Sequence, residues 1–246
     1  MVSVDINCDM GEGIGNDEAL MPFISSANIA CGYHAGDEHT MQHTIDLCIK
    51  HNVALGAHPS FDDKENFGRN EIALSSAEIF QLVRSQIMIL QNIANEKGVR
   101  LHHIKPHGAL YNMAAKNAAI AAAIAMAVKD IDASLIVYGL ALSASIAEAK
   151  KIGLKTASEV FADRTYQDDG SLTPRKQPGA LIENTDTAIT QVLGMVKNKH
   201  VTCLSGKMIT IDAETICIHG DGKHAVEFAS AVYLQLKKES IAIRAI

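Results

Sequence analysis

The chain has 246 residues, 48% of them hydrophobic and 20% charged, with a formal net charge of -6 and a pI near 6.0. That size permits one large core in a single domain over residues 1–246, the acidic balance leaves no footprint for nucleic acid, and no apolar run is long enough to span a bilayer. The five cysteines (Cys8, Cys31, Cys48, Cys203 and Cys217) have no CxxC spacing and read as reduced thiols, which points to a cytoplasmic protein.

Residues 1–5 start a strand instead of a basic leader. Along residues 2–8 the residues alternate: Val4, Ile6 and Cys8 share one parity and Asp5, Asn7 and Asp9 the other, so the two sets face opposite sides of a strand. The next strand lies near residue 28 and breaks at Gly32, presenting His34 before a helix over 39–51. A third, near 54, places Ala54, Gly56 and His58 on one face. The helix over 75–98 opens with a Ser75–Glu78 capping box and stops at Gly98. A strand near 102 aligns His103, Lys105 and His107, and one Ala-rich helix is expected over 110–128. Strands near 135 and 156 follow, the second leading to Glu159, with a helix over 143–152 between them. Helices over 186–197 and 223–238, a short extended piece at 208–211 and a strand near 215 that leads to His219 complete the chain.

Seven alternating strand–helix units predict a seven-stranded parallel β/α barrel. An open doubly wound sheet would gather its site at a switch point, whereas here ionisable residues follow six of the seven strands. Chemistry spread over successive strand-to-helix turns is the barrel pattern. Two long connections, 59–70 and 161–180, are rich in Gly, Pro and charge and are expected to be lids or binding loops.

The acidic candidates are Asp5, Asp9, Glu12, Asp37, Glu159 and Asp221, and the histidines are His34, His58, His107 and His219. A single such histidine is readily explained by packing, but four at equivalent positions point to a site. Asp5 reads as a hydrogen-bonding partner inside the barrel, and His102, His103 and His200 as structural or solvent-facing. Lys105 shares the face of His107 and either binds an anion or pairs with Asp9 or Glu159. Arg69, Arg164 and Arg175 sit on the long loops, where a guanidinium can clamp an anionic substrate or simply be solvated. No HExxH, P-loop or GxSxG motif occurs. Asp9 with two histidines would suffice for a three-ligand zinc site, and the spacing neither demands nor forbids it.

The segments DINCDMGEG (5–13), SANIACGYHAGD (26–37), GAHPSF (56–61), FGR (67–69), KPHGALYN (105–112), EVFADRTYQDDGSLTPR (159–175), QPGALI (177–182) and ICIHGD (216–221) together resemble the LamB/YcsF family, in its order and over nearly the whole chain. The resemblance implies a distorted barrel of the glycoside hydrolase/deacetylase type. It also implies a part in an ATP-dependent 5-oxoprolinase that opens 5-oxo-L-proline to L-glutamate, alongside two further subunits, B and C. ATP would enter as a co-substrate with Mg. In this scheme the catalytic set is Asp9, Glu12, His34, His58, Lys105, His107, Glu159 and His219, with Glu159 or Asp9 as base and His107 as acid or oxyanion stabiliser. Substrate contacts are expected from Asn7, Arg69, Arg164 and Asp221. A metal-dependent amide or carbohydrate deacetylase and a binding subunit without chemistry of its own are the alternatives. The chain departs from the family pattern at 13–16, where an insert is short, and at 222–224, where Thr-Pro is more usual.

Overall fold

The alternation along the first strand decides how the molecule closes. In a computed structural model, which describes residues 2–220 and 225–246, β1 (Ser3–Met10) pairs in parallel with β2 (Ser26–Ala30) on one side. The parallel ladder continues through β3 (Ala54–His58), β4 (His103–Ile104), β5 (Ile136–Leu140) and β6 (Lys155–Phe161). An antiparallel hairpin of β7 (His200–Thr202) and β8 (Met208–Thr210) stands apart. Then β9 (Thr215–Ile218) pairs with both β6 and β1. The ring of seven strands is therefore closed, as the sequence predicts. A short β10 (Ala242–Ile243) extends the start of β1, at Ser3 and Val4.

The helices are α1 (Asp17–Leu20), α2 (Glu38–His51), α3 (Ser76–Glu96), α4 (Gly108–Lys116), α5 (Ala118–Ile131), α6 (Ala144–Lys151), α7 (Thr185–Asn198) and α8 (Ala225–Lys238). The Ser75–Glu78 capping box is present, and Gly98 takes the left-handed conformation past the end of α3. The single helix expected over 110–128 is two. Asn117 is extended, and its side chain accepts hydrogen bonds from Ala119 N and Ile120 N, so it caps α5 at the point where α4 stops. The predicted helix over 223–238 is described from Ala225 onward, and residues 221–224 lie outside the described residues. The sequence reading also missed β7 and β10. Among the described residues no helix is long and apolar enough to cross a membrane.

Val4, Ile6 and Cys8 of β1 pack outward into a core shared with Ile79, Val83, Ile87 and Leu90 of α3 and with the other helices. The opposite parity fills the barrel with polar groups instead. Burying them is tolerable only because each is bonded. Thr215 and Ser26 donate to Asp5 at 2.6 and 2.8 Å. Asn28 donates to Asn7 at 2.8 Å and accepts from the His103 ring at 2.8 Å, and His103 stacks on Tyr138 with centroids 4.1 Å apart. His103 is thus structural, but it stands inside the barrel. Gly56 makes room for it, since a Cβ there would overlap the imidazole. Gly56→Ala is expected to destabilise the barrel by about 1–3 kcal/mol, lowering the thermal midpoint by about 2–12 °C. An unchanged midpoint would mean that the ring has space to move.

Candidate active site

Lys105, just past β4, is the hub of the polar layer at the barrel's carboxyl end. Its Nζ lies 3.0 Å from Asp9 Oδ1, 2.8 Å from Glu159 Oε1, 3.1 Å from Asn7 Oδ1 and 3.1 Å from Cys217 Sγ. Burial alone would favour the neutral amine, but Asp9, Cys217 and Glu159 outweigh it and keep the ammonium well above its usual range. Burial would likewise raise the Asp9 carboxyl, yet His58 and Lys105 hold it well below the carboxylate range. Glu159 is fully buried and accepts from Asn7 Nδ2 at 2.9 Å and from Tyr111 OH at 2.6 Å. Burial, then Glu159 itself, pushes the Tyr111 phenol up, so it remains a donor.

Three histidines gather on one side of this layer. His58 Nε2 stands 3.3 Å from Asp9 Oδ2 and 2.9 Å from His107 Nδ1. His34 and His107 are stacked, with centroids 3.8 Å apart and planes within 5°, and Glu12 Oε1 sits 3.1 Å from His34 Nε2 and 3.5 Å from His107 Nδ1. Burial, and then the neighbouring His58, pushes His107 down to about 3. His34 is depressed further by burial, His107 and His58. On the other side His219 Nδ1 meets Asp163 Oδ2 at 2.7 Å, and its Nε2 lies 3.1 Å from Arg175.

Above the layer opens a cavity of about 530 Å³. Asp9, Glu12, His58, Lys105, His107 and His219 of the polar layer line it, together with Tyr111 and Asn112 of α4 and, from the loops and the end of α4, Arg69, Glu71, Lys116, Arg175 and Lys176. Carboxylates and imidazoles on one side and a wall with four cationic side chains and one Glu on the other can hold an anionic substrate against a group able to accept a proton. The loops forming the rim are built walls. Tyr166 OH accepts from Phe161 N, Thr165 N bonds Ala180 O, and Thr173 N bonds Thr165 O. His107 Nε2 donates to Phe67 O, and Ala109 N to Gly68 O, where a side chain at Gly108 would collide with the Gly68 carbonyl.

The profile of the LamB/YcsF family matches residues 4–246. The chain belongs to the LamB/YcsF family. A relative in Shouchella clausii, called the A subunit of 5-oxoprolinase, is 54% identical over 250 residues, covering 100% of this chain and 99% of its own. Another of that name, in Tolumonas auensis, is 52% identical over 100% of both chains. The solved structure of a lactam utilization protein from Thermus thermophilus superposes with a TM-score of 0.93 at 39% identity, covering 99% of this chain and 100% of that one.

Within this LamB/YcsF chain the expected site residues do not all stand where the sequence put them. Asp9, Glu12, His58, Lys105, His107 and His219 converge on the cavity. His34 lies behind His107 and touches Glu12. Glu159 and Asn7 do not line the cavity. The oxygens of Glu159 are taken up by Tyr111, Lys105 and Asn7, and Asn7 stands between Glu159 and Lys105. Arg164 also reaches the cavity, and it is held by its own loop. Its guanidinium touches the cavity wall but is buried and donates to Thr173 O at 2.5 Å and Ala180 O at 3.4 Å, so it ties its own loop together. Arg69 lies over the Phe67 ring at 5.0 Å and lines the cavity as expected. Asp221 lies outside the described residues. Arg175, the third of the loop arginines, stands beside His219. Tyr111, Lys116 and Lys176 were missed; KPHGALYN already carried Tyr111 one helical turn past His107.

Proposed function

We propose that this chain serves as the A subunit of an ATP-dependent 5-oxoprolinase. It would open 5-oxo-L-proline to L-glutamate together with two other subunits, B and C. The observation that carries the reading is the cavity itself: the ionised carboxylate of Asp9 faces a mainly cationic wall, in a family whose relatives bear the 5-oxoprolinase name. A lactam carbonyl is a poor electrophile, so it needs activation before water can attack. Transfer of the γ-phosphoryl of Mg-ATP to the amide oxygen releases ADP. Water then adds to the same carbon, the adduct expels the ring nitrogen, which takes a proton, and a second water hydrolyses the acyl phosphate left behind to the carboxylate and phosphate.

Asp9 is the group in this site suited to orient the first water and receive its proton. His107, neutral because of its burial, gives its one proton from Nε2 to Phe67 O, so its free Nδ1 suits accepting a proton or positioning a neighbour and not donating to an oxyanion. Arg69 and Arg175, with Lys116 and Lys176, suit the phosphate and the substrate carboxylate. Lys105 is committed to Asp9 and Glu159, so its contribution is the positive charge beneath the reacting carbon. Five free, buried cysteines fit the cytoplasmic setting that ATP and this substrate require.

The test is glutamate formation from 5-oxo-L-proline and ATP by the chain alone and then with subunits B and C. Turnover in the three-part mixture only, matched by ADP release, is the expected result. Absence of glutamate from every mixture would overturn the reading.

A further inference from the structure

Two imidazoles in the cavity wall face each other in a way that neutral rings do not tolerate. A carbonyl oxygen has no proton to give. His58 Nδ1 must therefore be the donor to Lys105 O at 2.7 Å, and His107 Nε2 the donor to Phe67 O at 3.0 Å. In a neutral ring the remaining nitrogen is then a bare lone pair. Those remaining nitrogens, His58 Nε2 and His107 Nδ1, stand 2.9 Å apart. Two lone pairs at that distance repel unless a positive centre lies between or beside them.

The surroundings supply what such a centre needs. Glu12 Oε1 is 3.5 Å from His107 Nδ1, and Asp9 Oδ2 is 3.3 Å from His58 Nε2. Behind them, His34 Nε2 donates to Glu12 Oε1 at 3.1 Å, while its Nδ1 is buried without a partner.

We propose that Glu12, His58 and His107 form a binding site for one divalent transition-metal ion of the zinc type, with His34 orienting the Glu12 carboxylate. The candidate ligand atoms of Glu12, His34, His58 and His107 all lie within 4.8 Å of one another. A tetrahedral site with bonds of about 2.0–2.2 Å has edges of about 3.3–3.6 Å; the 3.5 Å separation found at His107 falls in that range and the 2.9 Å one would open by about 0.4 Å on binding. Two imidazoles with one carboxylate suit zinc, and leave a fourth position for water. Backbone carbonyls that fix the far nitrogen of each ring are the usual partners of ligating histidines. A second group, Asp9 with Cys217 and His219, is also close enough to share an ion. There the carboxylate and the sulfur already hold the Lys105 ammonium, which repels a second cation. The ion therefore belongs to the histidine side. This inference does not depend on the lactam reading.

The experiment uses the full chain stripped with a chelator and dialysed, titrated with Zn²⁺ by calorimetry and with Co²⁺ by visible absorption. The expected result is about one ion per chain, with a tetrahedral cobalt spectrum and no thiolate charge-transfer band. Since loss of an outer partner alone weakens metal affinity about 10–100-fold, His34→Ala is expected in that range, and Glu12→Gln and His107→Ala at about 100-fold or more. Circular dichroism checks each variant's fold, and Glu12→Gln keeps the side-chain shape should His107→Ala fail to fold. No stoichiometric binding by the parent chain would overturn the proposal and leave a shared proton between the rings. So would an ion that survives Glu12→Gln and His107→Ala but is lost in Cys217→Ser.

Discussion

A Lys105→Met variant is expected to be about 3–5 kcal/mol less stable than the parent and to support no lactam opening. The buried ammonium holds two carboxylates at 3.0 and 2.8 Å, one of them fully buried. Methionine matches its bulk but leaves both anions without a counter-charge, and breaking a buried pair from one side costs that much. For a chain of this length the loss corresponds to about 6–20 °C in the thermal midpoint. Adding Glu159→Gln to Lys105→Met should restore part of the midpoint, because the amide can still accept from Tyr111 and needs no cation. A double variant no more stable than Lys105→Met would show that Glu159 and Lys105 are not coupled. A single variant within about 1 kcal/mol of the parent would show that the carboxylates take up protons instead.

Asp9→Asn separates chemistry from architecture. Its amide oxygen can still accept from Asn28 and Lys105, which bond Asp9 Oδ1 at 2.9 and 3.0 Å, and its NH2 can face His58. The fold is expected to survive while turnover in the reconstituted complex drops by about 10²–10⁴, the range for a lost general base. With binding left to the rim, KM for the lactam should change little. Assaying kcat and KM side by side decides the matter. A large rise in KM with kcat unchanged would make Asp9 a binding group and remove it from proton transfer.

The barrel could be read from the chain because a strand's period of two makes Asp5, Asn7 and Asp9 face one way whatever surrounds them. The Ser75–Glu78 cap was legible for the same reason: both partners sit within one turn. What the chain did not disclose is depth. Glu159 pairs with Thr215, and Thr215 with Asp5, so the stagger between strands sinks Glu159 below the cavity while Asp9 reaches it. Stagger belongs to the closed sheet, and no local pattern records it. The anchoring of Arg164 was hidden for another reason. Its partners are backbone carbonyls of Thr173 and Ala180, and every residue carries a carbonyl. Asn117 is the reverse case, a helix cap readable in principle but hidden within an Ala-rich run that looks continuous.

The bonds that join Asp5 to Thr215 and Asn7 to Glu159 span 210 and 152 positions of the chain. Until the last barrel strand docks, Asp5 and Asn7 of the first have Ser26 and Asn28 beside them but lack the partners that close the far side of the interior. Each such group resists leaving water, and the loop to be closed is nearly the whole polypeptide. Assembly of this site is therefore tied to a single late event, the entry of β9 between β6 and β1, and a chain still emerging from the ribosome cannot hold a partly working version of it.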